Sequence, residues 1–355
     1  MKRRHPSAGG LTLVANQAAI GGGEVMLLAM ADVAVSAGLE VDIVGPAGEL
    51  LDAAAGAGHR VETIAGTTRP SYFQALTTWR PGRDTLTWCV GLLPAAATMA
   101  RSARIVHLHQ VPRTMAQRSL ARAARLSAAA TYVPSHSLAR EIPGSRVLWN
   151  WTVPITSAAA LPKKQTSLRV GFSGRLNVGK GFPLLCQAIQ ALNRDSTRAA
   201  ELVVAGDDRF VAPADRRSVD QAQGLLPGRI HKLGWVSRTT FLGQVDVVVV
   251  PAVWPESFGL VAAEAMAAGI PLIVSDAGAL PEVVGTEHPW IVPAGDVDSL
   301  AQMILTVRDR DNDDPVLAAR RRWEQHFSPE AGARRFLRVL DSLGLPVDNT
   351  SAEPA

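Results

Sequence analysis

Two carboxylates, Glu256 and Glu264, stand in one segment, PAVWPESFGLVAAEAMAAGIPLIVSDAGALPE, at residues 251–282. Glu256 lies in a loop after an apolar run, and Phe258, Gly259 and Leu260 open a helical pattern that carries Glu264. Free backbone N–H groups at a helix N-terminus beside a strand end form a cradle for a phosphate. Glu264 falls roughly one and a half turns into that helix at about 3.6 residues per turn. A carboxylate placed there accepts two hydrogen bonds from a sugar diol, such as ribose O2 and O3. The plain alternative is a helix-capping Glu256 and a solvent-facing Glu264. Against it stand Ala262, Ala263, Ala265, Ala267 and Ala268, an apolar setting in which a carboxylate needs a partner.

A second segment, GFSGRLNVGKGFPLL at residues 171–185, ends a strand pattern in a loop with Gly171, Gly174, Gly179 and Gly181. Glycines let the backbone approach a ligand, and Arg175 and Lys180 within the loop suit a diphosphate. Two solvated cations in a turn are the alternative. A third, NQAAIGGGE at residues 16–24, joins the first strand pattern to the first helical one and again puts glycines at a helix N-terminus. Its spacing is not that of the GxGxxG dinucleotide fingerprint, so an NAD site is poorly supported.

The elements that must hold these residues alternate in type along the chain. Strand-type runs occur at 11–14, 41–44, 61–64, 85–90, 104–108, 131–133 and 146–148, and again at 169–172, 201–205, 229–233, 245–250 and 271–274. Helical patterns fill the intervals, at 23–37 and 114–129 among others. Such alternation predicts βαβ units and mostly parallel sheets. Residues 149–167 carry Pro154, Pro162, Thr156, Ser157, Lys163 and Lys164 with no periodicity and read as a connection between domains. The expected division is 1–155 for an acceptor-side domain, 156–167 for a linker, 168–325 for a donor domain, 326–343 for a terminal helix packing back on the first domain, and 344–355 for a tail.

At 355 residues the chain has room for two domains with separate cores. Hydrophobic residues at 47% and charged residues at 19% are the balance of a globular protein. Cys89 and Cys186 stand far apart, which writes neither a disulfide framework nor a zinc site and fits a reducing, cytoplasmic setting. No apolar run reaches the roughly 18 residues that span a bilayer. The net charge of +4 is unevenly spread: residues 1–160 carry 15 Lys and Arg against 9 Asp and Glu, the remainder 21 against 23. No acid occurs between Asp84 and Glu141, a stretch holding Arg101, Arg104, Arg113, Arg118, Arg122, Arg125 and Arg140. Arg118, Arg122 and Arg125 recur at helical spacing and are expected to meet an anionic acceptor or an acidic membrane surface. A solvated basic helix is the alternative.

The three segments, in this order, resemble the GT-B glycosyltransferases and in particular glycosyltransferase family 4. The resemblance runs over nearly the whole chain and is most specific in Glu256 and Glu264, which match the family's E-x7-E motif, with AMAAGIPLIVSDAGALPE following in the family's pattern. It implies an α/β GT-B fold, two Rossmann-like domains facing each other across a cleft. It implies transfer of a sugar from a nucleotide-diphosphate-sugar, with retention of anomeric configuration, to a glycan, lipid-linked or small-molecule acceptor in cell-envelope glycan, glycolipid or polysaccharide synthesis. Arg175 and Lys180 would then bind the donor pyrophosphate, Glu264 the ribose and Glu256 the sugar. The amides of Phe258, Gly259 and Leu260 would hold the sugar and the distal phosphate, and Gly22 would close over the phosphates. In ARIVHLHQVPRT, at residues 103–114, His109 falls where the family has its histidine and would position the sugar; His107, on the same face of the strand, is the alternative.

The chain departs from the family pattern at Gln110, where an acid or Asn commonly follows the histidine, and at Gly206, Asp207, Asp208, where Gly-Asp-Gly is common. Asp296–Asp298 and Asp309–Asp311 have DxD spacing, but the first reads as a helix N-cap and the second as an acidic loop. The resemblance implies that no metal or other cofactor is needed. A cytoplasmic location follows, extended to peripheral contact at the inner face of the cell membrane. A same-fold epimerase or phosphorylase, or a nucleotide-sugar binder without activity, is the rival reading. Nucleic acid is not expected as a partner, since no binding motif accompanies the arginines.

Overall fold

The structure, a computed structural model, describes residues 9–82, 85–101, 103–155, 167–194, 199–206, 211–309 and 312–347. Residues 156–166 of the expected linker, Asp207 and Asp208, the middle and end of the Asp309–Asp311 pattern, and the tail from residue 348 lie outside the described residues.

Thirteen strands form two parallel sheets among the described residues. The first holds β1 (Gly10–Val14), β2 (Glu40–Gly45), β3 (Arg60–Thr63), β4 (Thr85–Val90), β5 (Arg104–His107), β6 (Ala130–Val133) and β7 (Arg146–Val147), in the order β3-β2-β1-β4-β5-β6-β7. The second holds β8 (Leu168–Ser173), β9 (Ala200–Ala205), β10 (Ile230–Gly234), β11 (Val247–Val250), β12 (Leu272–Ser275) and β13 (Ile291–Val292), in the order β10-β9-β8-β11-β12-β13. Every strand pairing within the sheets is parallel, so each connection is a crossover, and the helices of the alternating sequence supply it. Twelve of these strands coincide with the strand-type runs of the sequence; β13, two residues long, was too short to leave a pattern.

The chain divides into two compact units, Met1–Asn150 with Glu330–Ala355, and Trp151–Pro329. In the second unit, Val247, Val248 and Val249 of β11 are fully buried, as an apolar strand covered on both faces must be. Around β8, β9 and β11 the side chains of Phe172, Phe182, Leu185, Ile189, Leu202 and Ile304 close the core. The terminal helix Pro329–Ser342 belongs, from Glu330 on, to the first unit: its Phe336 ring stands edge-on to Trp88 of β4 with centroids 5.4 Å apart, and Trp88 stacks on Tyr132 of β6 at 5.3 Å. The helix before it, Asp313–His326, stays with the second unit, where Trp323 Nε1 donates to Thr152 Oγ1 at 2.8 Å.

In each sheet the order of strands reverses once. The second sheet runs from β8 outward through β9 and β10, then restarts at β11 on the other side of β8. The first does the same between β1 and β4. At such a switch point the loops leaving the strands' carboxyl ends diverge and open a crevice, which is where open α/β sheets bind ligands.

Candidate active site

The loops at the second sheet's switch point are residues 174–181 after β8 and residues 251–259 after β11, the two glycine- and charge-bearing segments of the sequence. The loop after β8 is pinned at its middle, where the Lys180 amide donates to Asn177 Oδ1 at 2.8 Å. It closes into helix Phe182–Leu192 through Gly181, whose φ of 76° is left-handed. A Cβ at that position would stand 1.7 Å from the carbonyl oxygen of Pro251, so the backbones of the two loops touch there. The loop after β11 is fixed by a parallel bridge between Glu256 and Gly278 and by the Ala279 amide donating to Glu256 O at 2.9 Å.

This arrangement brings Lys180 and Glu256 together: Nζ donates to Oε1 at 2.5 Å. Glu256 is therefore not a helix cap. Arg175 is exposed and, among the described residues, has no side-chain partner. Phe258 is buried with its ring edge-on to Phe327 at 5.4 Å, and Gly259, left-handed at φ 101°, is the N-cap of helix Leu260–Ala268 with no side chain capping it. The first amides of that helix have no intrahelical acceptor and point out of its N-terminus.

Glu264 does not face solvent; its side chain is 13% exposed. Burial lifts its carboxyl above the ordinary range, and the charge of Arg238 partly opposes the shift. Arg238 Nε lies 2.9 Å from Glu264 Oε2, yet the N–H is not aimed at it, and that buried oxygen accepts no aligned hydrogen bond. A buried acceptor without a donor is costly. Arg238 also donates from Nη1 to Ser173 Oγ at 2.7 Å, at the end of β8. The sequence reading missed Arg238 and Ser173. The signal was position: Arg238 opens the short helix Arg238–Leu242 after β10, on the same carboxyl side of the sheet as the two glycine-bearing loops.

In the first unit, Gly22 begins helix Gly22–Ser36, and Glu24 Oε2 accepts from the amide of the N-cap Gly21 at 3.2 Å. His109, after β5, lies against this helix start: a Cβ on Gly23 would stand 3.5 Å from its ring. The structure thus groups Gly22 and His109. His107 and His109 hold their ring centroids 4.0 Å apart, and Trp88 Nε1 donates to His107 Nδ1 at 3.4 Å. Burial holds His109 at about 4 and His107 well below its usual value, so both are neutral near pH 7. The Nε2 atoms of both are buried without a hydrogen-bond partner.

The three arginines of helix Met115–Arg125 have different surroundings. Arg118 and Arg122 are exposed, whereas Arg125 is half-buried and donates to Thr131 Oγ1 at 3.3 Å and Pro143 O at 2.6 Å. Beside the exposed pair stand Met115, 74% exposed, and Leu126, 87% exposed. Asp296 spends both carboxylate oxygens on Ser299, accepting from its amide at 2.9 Å and its hydroxyl at 2.7 Å ahead of helix Val297–Asp309.

Residues 167–309, most of the second unit, match the family described as glycosyl transferases group 1. The chain is similar to the lipopolysaccharide core biosynthesis mannosyltransferase of Rhizobium meliloti, 33% identical over 135 residues, which are 33% of this chain and 38% of that protein. It spans about half the length or less of the curated relatives it matches. Among solved structures it resembles Anabaena HepE in complex with UDP and glucose, with a TM-score of 0.77 at 18% identity, covering 94% of this chain and 99% of that one. It resembles sucrose-phosphate synthase from Thermosynechococcus elongatus with a TM-score of 0.79 at 19% identity, covering 94% and 98%. The fold expected from the sequence, two Rossmann-like parallel-sheet units of the GT-B type, is the fold found.

Proposed function

We propose that this chain is a glycosyltransferase that takes a sugar from a nucleotide-diphosphate-sugar, with the donor held at the switch point of the second sheet. One observation carries the reading: the Lys180–Glu256 pair and the buried, under-satisfied Glu264 converge where two glycine-bearing loops leave β8 and β11. The family match over residues 167–309 and the HepE structure with bound UDP support it.

The roles follow from charge. Arg175, Lys180 and the N-terminus of helix Leu260–Ala268 place positive potential where the departing diphosphate develops negative charge. Glu264 accepts the two ribose hydroxyls. Glu256, tied to Lys180, takes donor-sugar hydroxyls. His109, neutral near pH 7, orients the sugar rather than carrying a proton, and Gly22 is assigned to the phosphates by the family resemblance. The resemblance further assigns retention of configuration, the acceptor hydroxyl passing its proton to the leaving phosphate oxygen. No side chain is then needed as a covalent nucleophile. The acceptor belongs to cell-envelope glycan or glycolipid synthesis in this reading, as the name of the Rhizobium relative suggests for that protein.

A panel of UDP-, GDP- and ADP-sugars tests the donor class by thermal stabilisation. A bound donor at about 100 times its dissociation constant adds roughly 2.7 kcal/mol, which appears as a rise of several degrees in Tm. No shift with any of them would contradict the reading.

Peripheral membrane contact is proposed for helix Met115–Arg125. No helix among the described residues is long and apolar enough to cross a membrane. Met115 and Leu126 interleave with Arg118 and Arg122, the pattern of a helix that seats apolar side chains at a lipid boundary and cations at its headgroups. Vesicles rich in phosphatidylglycerol should pull the protein down at low salt, and Leu126→Asp should weaken the binding. Absence of binding at low salt would remove the membrane role.

A further inference from the structure

We infer that Arg238 is a positioning residue of the donor site: it fixes the orientation of Glu264 and keeps it an anionic acceptor for the ribose diol. The inference rests on the reading of Glu264 as the ribose carboxylate. Its geometric basis is the pair of contacts Arg238 makes at once. Nη1 donates to Ser173 Oγ at 2.7 Å, which ties the guanidinium to the last residue of β8, next to the loop that carries Arg175 and Lys180. Nε then stands 2.9 Å from Glu264 Oε2. A planar guanidinium held at one edge presents its remaining N–H groups in a fixed direction.

The contact leaves the carboxylate usable. Arg238 offsets the charge of Glu264 from the side of the buried Oε2 at 2.9 Å, so the carboxylate keeps acceptor capacity for a ligand at its other oxygen. Among the described residues, Arg238 is the cation paired with Glu264. Helix Asp313–His326 packs against helix Leu260–Ala268, but its Arg322 donates to the carbonyls of Glu282 and Val283. Glu282 of helix Leu280–Val284 acts on Arg322, and β11 and β12 bring only Val, Leu, Ile and Ser. Burial favours the protonated acid and Arg238 favours the anion. Without Arg238 the burial effect stands alone, the acid form persists to higher pH, and the protonated carboxyl loses acceptor capacity toward the diol.

The test measures dissociation constants for UDP and GDP and for their 2′,3′-dideoxy counterparts from pH 5.5 to 9. The wild-type chain should favour the ribose form by about ten-fold or more at pH 7. Arg238→Gln should lose most of that preference at pH 7 and regain it as the pH rises, while dideoxy binding changes little. Arg238→Lys, which retains the charge, should keep the preference near pH 7. A wild-type chain that binds both forms equally contradicts the ribose role of Glu264 itself. A wild-type chain that discriminates, with an Arg238→Gln chain that discriminates equally at every pH, overturns the role of Arg238 alone. Equal weakening of ribose and dideoxy forms makes Arg238 a direct phosphate contact and overturns it too. If Arg238→Gln fails to fold, a folded Arg238→Ala chain in which the ribose preference at pH 7 is that of the wild type, with no pH dependence, refutes the proposal.

Discussion

Lys180→Ala is expected to slow sugar transfer by about 100-fold or more while leaving the fold nearly as stable as before. Two contributions are lost together. The ammonium no longer offsets charge on the leaving diphosphate, a preorganised contact worth roughly 3 kcal/mol in the transition state. Glu256 also loses its partner at 2.5 Å and is left as a free carboxylate beside a bound anion. The stability cost stays moderate, about 1 kcal/mol, because the Lys180 side chain is 43% exposed, although Glu256, 14% exposed, is left without its partner. Steady-state rates and thermal unfolding measured on the same preparation separate the two. A variant that loses stability and activity in step would make the pair a structural tie rather than part of the donor site.

Gly181→Ala is expected to be the more damaging change to the fold. The backbone there is left-handed, which costs an alanine about 1 kcal/mol or more. The larger penalty is contact: the new methyl would lie 1.7 Å from Pro251 O, a backbone atom directly after β11 that cannot turn aside as a side chain could. Relief requires the loops after β8 and β11 to separate, which moves Lys180 away from Glu256. We expect a loss of roughly 3 kcal/mol, a fall in Tm of about 10 °C by the usual scaling, and weakened donor binding in the protein that remains folded. Circular dichroism on heating and donor titration measure both. Wild-type Tm would show that the loop has slack the geometry does not suggest.

Much of this site was legible before any coordinates because its chemistry depends on short segments. The strand before each ligand loop is an apolar run, the loop is marked by glycines, and the cations and carboxylates lie a few residues beyond. Lys180 and Glu256 are 76 positions apart, so their pairing was beyond local pattern; it emerges only when β8 and β11 become neighbours across the switch point. Arg238 was missed for the same reason, since a single arginine at the start of a five-residue helix carries no periodic signal. Its meaning comes from Ser173 and Glu264, which the fold brings to it. Arg125 shows the converse. Its spacing with Arg118 and Arg122 suggested one shared face, but its guanidinium is drawn inward by Thr131 and Pro143, contacts that no helical wheel contains. The strand β13 escaped because two residues cannot display alternation.

The central claim is that a nucleoside diphosphate is held between the cations of the loop after β8 and the carboxylate of helix Leu260–Ala268. Calorimetric titration of the best donor into the wild-type chain and into an Arg175→Ala, Lys180→Ala, Glu264→Ala chain addresses it most directly. The account predicts measurable binding to the first and a loss of at least 100-fold in the second, with both chains folded by circular dichroism. Equal affinity in the two folded chains would place the donor elsewhere and contradict it.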